Sequence, residues 1–171
     1  MWRRTAIAML LLAGAMVAGQ PQKGFGTYKA RELSKSDVWI NGGPFTLKSL
    51  RGKVVVIDFW AFDCAPCIEA MPRVLELHSK HAKDGLVVIG VHTPRAEYEK
   101  DIPKLREAMT RMGVTFPVVV DNKQKIFRDY LCDLWPSLFV IDRDGIVRFS
   151  HGGVGRYDDI EHMVRQLLDK Q

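Results

Sequence analysis

Seven consecutive residues, Val54-Val55-Val56-Ile57-Asp58-Phe59-Trp60, are apolar on both parities apart from a single acid. A strand with no polar face must lie in mid-sheet with cover on both sides. After a short loop comes Cys64-Ala65-Pro66-Cys67, then a helical stretch from Ala65 to His81 and a second buried strand from Leu86 to Val91. A strand, helix, strand unit of this kind closes right-handed with its two strands parallel.

The rest of the chain adds to that sheet. A charged helix is expected from Glu97 to Met112, ended by Gly113, followed by a strand from Pro117 to Val120 and a short helix from Lys125 to Tyr130. Strands from Ser137 to Asp142 and Ile146 to Ser150 flank Arg143-Asp144-Gly145, whose Asp-Gly is a hairpin signal. A closing helix from Asp158 to Asp169 carries Ile160, Met163, Val164, Leu167 and Leu168 at helical spacing. Upstream, Val38 to Asn41 and Pro44 to Leu47 flank Gly42-Gly43, which predicts an N-terminal β-hairpin.

With 171 residues, 47% of them apolar, the chain holds one core. The expected division is a leader over residues 1–19, a flexible arm or linker over 20–36 and an α/β domain over 37–171. Arg3 and Arg4 precede an apolar run from Ala6 to Ala18 that ends in small residues, the layout of a secretory signal peptide. The alternative is an uncleaved anchor over residues 5–19, although the run falls short of the roughly 20 residues a span needs. Loss of Arg3 and Arg4 with the leader leaves 23 basic against 20 acidic residues, too mild an excess to argue for nucleic acid. The expected product is periplasmic or secreted and monomeric.

Chemistry concentrates at Cys64 and Cys67. Pro66 suits a first helical turn, where its missing N–H goes unmissed. A sulfur at that turn feels unpaired N–H groups and the positive end of the helix dipole, which favour thiolate, so Cys64 is the expected nucleophile. Cys67, nearly one turn on and set deeper, is the expected resolving thiol. The reaction is then exchange through a mixed disulfide, with no metal and no organic cofactor. A structural zinc site normally takes four protein ligands and no second CxxC exists. Covalent haem attachment needs His after the second cysteine, and Ile68 stands there.

Asp58 is an acid inside the most apolar strand, where ionisation is costly. Its expected role is proton acceptor for Cys67; an acid bonded locally at a strand end is the bland alternative. His92 falls just after a strand parallel to the Cys64 strand, so it opens on the same sheet edge; a neutral loop histidine is the simpler reading. Cys132, among Tyr130, Leu131 and Leu134, reads as a buried inert thiol.

The segments Gly52 to Ala61 and Cys64-Ala65-Pro66-Cys67 closely resemble the thioredoxin superfamily, in its longer TlpA-like form. Trp39-Ile40-Asn41, Gly90 to Pro94, Glu99-Lys100-Asp101, Trp135-Pro136-Ser137 and Ile141-Asp142 resemble the thioredoxin-like domains of DipZ-type and NHL-repeat proteins. The resemblance spans about Asp37 to Lys170. It implies a thioredoxin-like three-layer fold: a central mixed sheet with helices on both faces, carrying the N-terminal hairpin. It also implies that Asp58 matches the family's buried acid and Pro136 its cis-proline facing the disulfide. Trp135, Ala65 and Pro66 are then expected against the substrate, with His92, placed on that edge by its strand, as a further candidate. Asp63 departs from the family's tryptophan before the first cysteine, and Ala70 from a frequent glutamate, with Glu69 one residue off.

The implied activity is an exported thiol–disulfide oxidoreductase that reduces protein or small-molecule disulfides, fed by a membrane electron donor. A copper-binding module using Cys64, Cys67 and His92 is one alternative, although copper carriers of this fold usually separate the cysteines by three residues. A thiol peroxidase is another, suggested by Leu50 to Lys53 running into a buried strand, but Ala61 stands where that chemistry expects Thr or Ser.

Overall fold

The computed structural model describes residues 27–33 and 38–170. The expected leader and most of the expected arm lie outside these residues. Strand β1 is Tyr28–Lys29, β2 Trp39–Ile40, β3 Val54–Trp60, β4 Leu86–His92, β5 Val118–Val120, β6 Ser137–Ile141 and β7 Ile146–Gly152. Helix α1 is Ala65–His81, α2 Ile102–Met112, α3 Lys125–Asp129 and α4 Tyr157–Asp169. None of the described helices is long and apolar enough to cross a membrane.

The sheet is mixed and ordered β1-β7-β6-β3-β4-β5-β2. β3, β4 and β5 are parallel neighbours, and the remaining pairs are antiparallel. β3 is central and buried along its whole length, as its composition requires. Val54, Val56 and Trp60 join one core layer with α1, α2 and α4; Val55, Ile57 and Phe59 join the other with α3 and the upstream segment. The architecture is therefore the thioredoxin-like fold expected from the sequence.

Helix α1 buries Cys67, Ala70, Met71, Val74 and Leu77, the stripe that period 3.6 places against a sheet. Pro72 lies within the helix on its exposed side and removes one donor from the ladder. Asp142, buried beneath the β6–β7 turn, accepts from the N–H groups of Asp144 and Ile146, each at 2.9 Å, and pairs with Arg148 at 2.6 Å.

Three expectations need correction. The N-terminal hairpin does not form. Trp39–Ile40 pairs with Val118–Val119 instead, and residues 44–53 hold no strand, turning over 47–52, with Leu47 N–H donating to Glu32 at 2.8 Å. The Trp39 ring lies over Gly43 so closely that a Cβ there would meet it at 2.5 Å, so Gly43 accommodates a folded-back indole rather than a tight hairpin turn, while Gly42 faces Pro117. The arm is not loose over residues 27–33: Tyr28 and Lys29 pair with Val147 and Ile146, Ala30 and Leu33 are buried, and Tyr130 Oη donates to Arg31 O at 2.6 Å. The helix expected over 97–112 is broken. A 3-10 turn spans Glu97–Lys100, and α2 starts afresh where the Asp101 side chain caps Lys104 N–H and Pro103 fits the first turn.

Candidate active site

Strands β3 and β4 end at one edge of the sheet. The β6 start and the β7 end reach the same edge, because β6 runs antiparallel to β3 and β7 antiparallel to β6. The chain leaving β3 turns through Ala61, Phe62 and Asp63 into Cys64, the N-cap of α1. Cys64 and Cys67 form a disulfide with Cα atoms 5.2 Å apart. Ala65 and Pro66 between them are exposed, while Cys64 and Cys67 are only 1% and 2% exposed. Cys67, expected to lie deeper than Cys64, is not the less exposed of the two in this oxidised pair, since both are buried.

Asp58 shares its face of β3 with Val56 and Trp60, the layer that includes Cys67. Its register neighbours are Gly90 on β4 and Leu138 on β6, neither of which offers a charge. Gly90 has no alternative: a Cβ there would stand 2.9 Å from the Trp60 indole nitrogen. The carboxylate oxygen Oδ1 has no hydrogen-bond partner among the described residues. Burial without a counter-charge pushes the Asp58 carboxyl up to about 7.

Trp135-Pro136 is a cis peptide at the entry to β6, and Pro136 is buried. The Trp135 indole donates to Thr93 O at 3.0 Å and stacks on Phe127 with centroids 4.2 Å apart. The carbonyls on either side of Trp135 are engaged, Leu134 O by the Ser137 hydroxyl and Pro136 O by Gly153 N–H.

His92 is corrected from a loop residue facing substrate to the last residue of β4, fully buried. Its ring stacks on Phe62, with planes 10° apart, and Nε2 accepts from Phe62 N–H at 3.4 Å. Burial pulls it down to about 4, so it is a neutral prop under the cysteine loop.

Sequence reasoning missed the cover over that loop. The buried Glu99 carboxylate accepts from the N–H groups of Asp63 at 3.3 Å, Ala96 at 3.1 Å and Arg95, tying the 3-10 turn to the loop. Tyr98 Oη donates to Asp63 Oδ2 at 2.6 Å. A glutamate three residues into a turn is half of a capping box, a signal the sequence did contain. Among the described residues the large exposed apolar side chains are Ile68, Tyr98, Leu131, Leu134 and Val154. Ile68 follows Cys67 in α1, Tyr98 bonds the Asp63 side chain, and Leu134 and Val154 adjoin the β6 start and the β7 end on the edge that carries the disulfide, whereas Leu131 lines a groove with Tyr28 and Arg31.

Cys132 packs against the other core layer and lines a groove of about 380 Å³ with Tyr28, Arg31, Tyr130, Leu131 and Phe139. Burial pushes its thiol up to about 12. With Cys64 and Cys67 oxidised, iodoacetamide at about pH 8 is expected to label Cys132 at least about 100-fold more slowly than a free cysteine peptide, the difference vanishing in urea. Labelling at the free-peptide rate would show a thiolate there.

A central mixed sheet, a CxxC disulfide opening the helix after its middle strand and a cis-proline on the same edge define a thioredoxin-fold thiol–disulfide oxidoreductase. The chain belongs to the AhpC/TSA family, which it matches over residues 28–150. It is 34% identical over 137 residues to the thiol-disulfide oxidoreductase YkuV of Bacillus subtilis, an alignment covering 80% of this chain and 92% of that protein. It is 40% identical over 143 residues to protein DipZ of Mycobacterium tuberculosis, covering 82% of this chain but only 21% of DipZ, so it spans about a fifth of that relative. Among solved structures, a thioredoxin-like superfamily protein superposes with TM-score 0.77 at 28% identity, over 84% of this chain and 97% of the other. A thiol:disulfide interchange protein from Chlorobium tepidum does so with TM-score 0.68 at 26% identity, over 82% and 95%.

Proposed function

We propose that this chain is an exported reductase of disulfides in protein partners. Cys64 acts as nucleophile and Cys67 as the thiol that resolves the mixed disulfide. Asp58 takes the Cys67 proton, and the cis-Pro136 loop presents the Trp135 backbone to an extended substrate segment. The observation that carries the reading is the Cys64–Cys67 disulfide at the start of α1, with the exposed Ala65 and Pro66 between its cysteines and the unpartnered Asp58 Oδ1 on the face of β3 that packs in the same layer. The apolar edge around it suits a polypeptide better than a small polar disulfide.

Export rests on the basic and apolar leader over residues 1–19, with reducing equivalents supplied by a membrane donor. The copper reading is weaker, since His92 is fully buried with its ring stacked on Phe62. The peroxidase reading lacks a hydroxyl at Ala61.

Equilibration against glutathione and dithiothreitol buffers, with Cys64 and Cys67 followed by alkylation and mass spectrometry, tests the direction of the chemistry. A reversible two-electron couple below about −220 mV is expected, because the Asp63 carboxylate next to Cys64 opposes a thiolate there. A potential near about −120 mV would make the protein an oxidant and reverse the proposal.

A further inference from the structure

Tyr98 is 51% exposed, yet its ring is held. The hydroxyl donates to Asp63 Oδ2 at 2.6 Å, and the ring meets Phe62 edge-on at 6.3 Å. The turn beneath it is pinned by the buried Glu99 carboxylate to the backbone of Asp63, Arg95 and Ala96. Fixing a large side chain in the open costs rotamer entropy and leaves apolar area wet. That cost is recovered when a partner covers the ring. Tyr98 also stands beside the residue preceding Cys64 and on the sheet edge reached by Ile68, Leu134 and Val154.

We propose that Tyr98 contacts substrate and selects an apolar polypeptide segment flanking the target disulfide, with Asp63 as the positioning residue that fixes its ring. The inference rests on the exchange reading above and adds its specificity. In the reaction the Cys64 and Cys67 thiols give two electrons and two protons to one substrate disulfide, which leaves as two thiols while the Cys64–Cys67 bond re-forms. A small disulfide needs only to reach Cys64. A chain segment extending from its own cysteine runs along the apolar edge and covers Tyr98.

The test mixes pre-reduced protein with insulin or with hydroxyethyl disulfide and follows loss of the dithiol by acid quench and alkylation. The readout is the ratio of the two second-order rate constants. In Tyr98→Ala the insulin to hydroxyethyl disulfide ratio is expected to fall about 5- to 10-fold. Tyr98→Phe keeps the ring but loses its tether, and the ratio is expected to fall about 2- to 3-fold. Asp63→Ala should match Tyr98→Phe, while Asp63→Asn, which keeps an acceptor, should recover most of the loss. A ratio in Tyr98→Ala within about 1.5-fold of the parent, with the melting curve unchanged, would overturn the proposal and leave exchange standing. A parent that reacts with neither disulfide would overturn the exchange reading, and this one with it.

Discussion

Cys64→Ser is expected to lower insulin reduction by more than about a thousandfold while the protein still melts cooperatively. The serine hydroxyl at the start of α1 does not ionise near neutral pH, so helix dipole and unpaired N–H groups have no anion to stabilise. Cys67→Ser should behave differently. Its Cys64 still attacks, but nothing displaces the partner, so a covalent adduct at Cys64 accumulates and is visible by mass spectrometry without reductant. If the two variants gave the reverse pattern, with adducts only through Cys67, the assignment of nucleophile and resolving thiol would be inverted.

Asp58→Asn carries the second large effect, and it lies in stability as well as in rate. Burial holds the Asp58 carboxyl at about 7, against an ordinary 3.8. The folded chain therefore retains a proton that the unfolded chain releases, and stability falls as pH rises between those two values. The penalty is absent below the lower value and fully present above the upper one, where it reaches about 4 kcal/mol. Asp58→Asn cannot ionise, so by urea unfolding of the oxidised protein it should match the parent near about pH 4 and exceed it by about 4 kcal/mol near about pH 8.5. The same substitution should slow release from the mixed disulfide about 10- to 100-fold and remove the inflection near 7 from its pH profile. Parallel stability profiles for parent and variant would mean that Asp58 is not the group held protonated.

Much of this was legible because it rests on local signals. β3 announced itself by apolar residues on both parities, and α1 by Pro66 and the stripe from Cys67 to Leu77; Asp58 stood out as an acid where none belongs. What stayed hidden depends on pairings across the chain. Two residues at Tyr28 carry no periodicity, and their partner Val147 lies more than a hundred positions away. Trp39 has a strand's composition but no hairpin partner, because Val119 outcompetes Pro44 to Leu47, whose proline lacks a donor. The broken helix at Asp101 was readable in retrospect from Asp101 and Pro103, a cap and a first-turn proline in sequence. The grip of Tyr98 and Glu99 on the cysteine loop is a tertiary arrangement, visible only once β4 and β3 place the two loops side by side.

The short strands that end the sheet, Tyr28–Lys29 and Trp39–Ile40, bear on where another chain could join it. Under the proposed function its partners are extended chains, which are prone to add themselves to any bare β-edge. Trp39–Ile40 offers too few free N–H and C=O groups to template that growth, whereas Tyr28–Lys29 pairs only with Val147 and Ile146, and among the described residues no strand pairs with Arg148–Gly152 on that side. Under the proposed function, an extended partner is thereby steered away from the Trp39–Ile40 flank and toward the loop edge, where an encounter ends in thiol chemistry rather than co-aggregation.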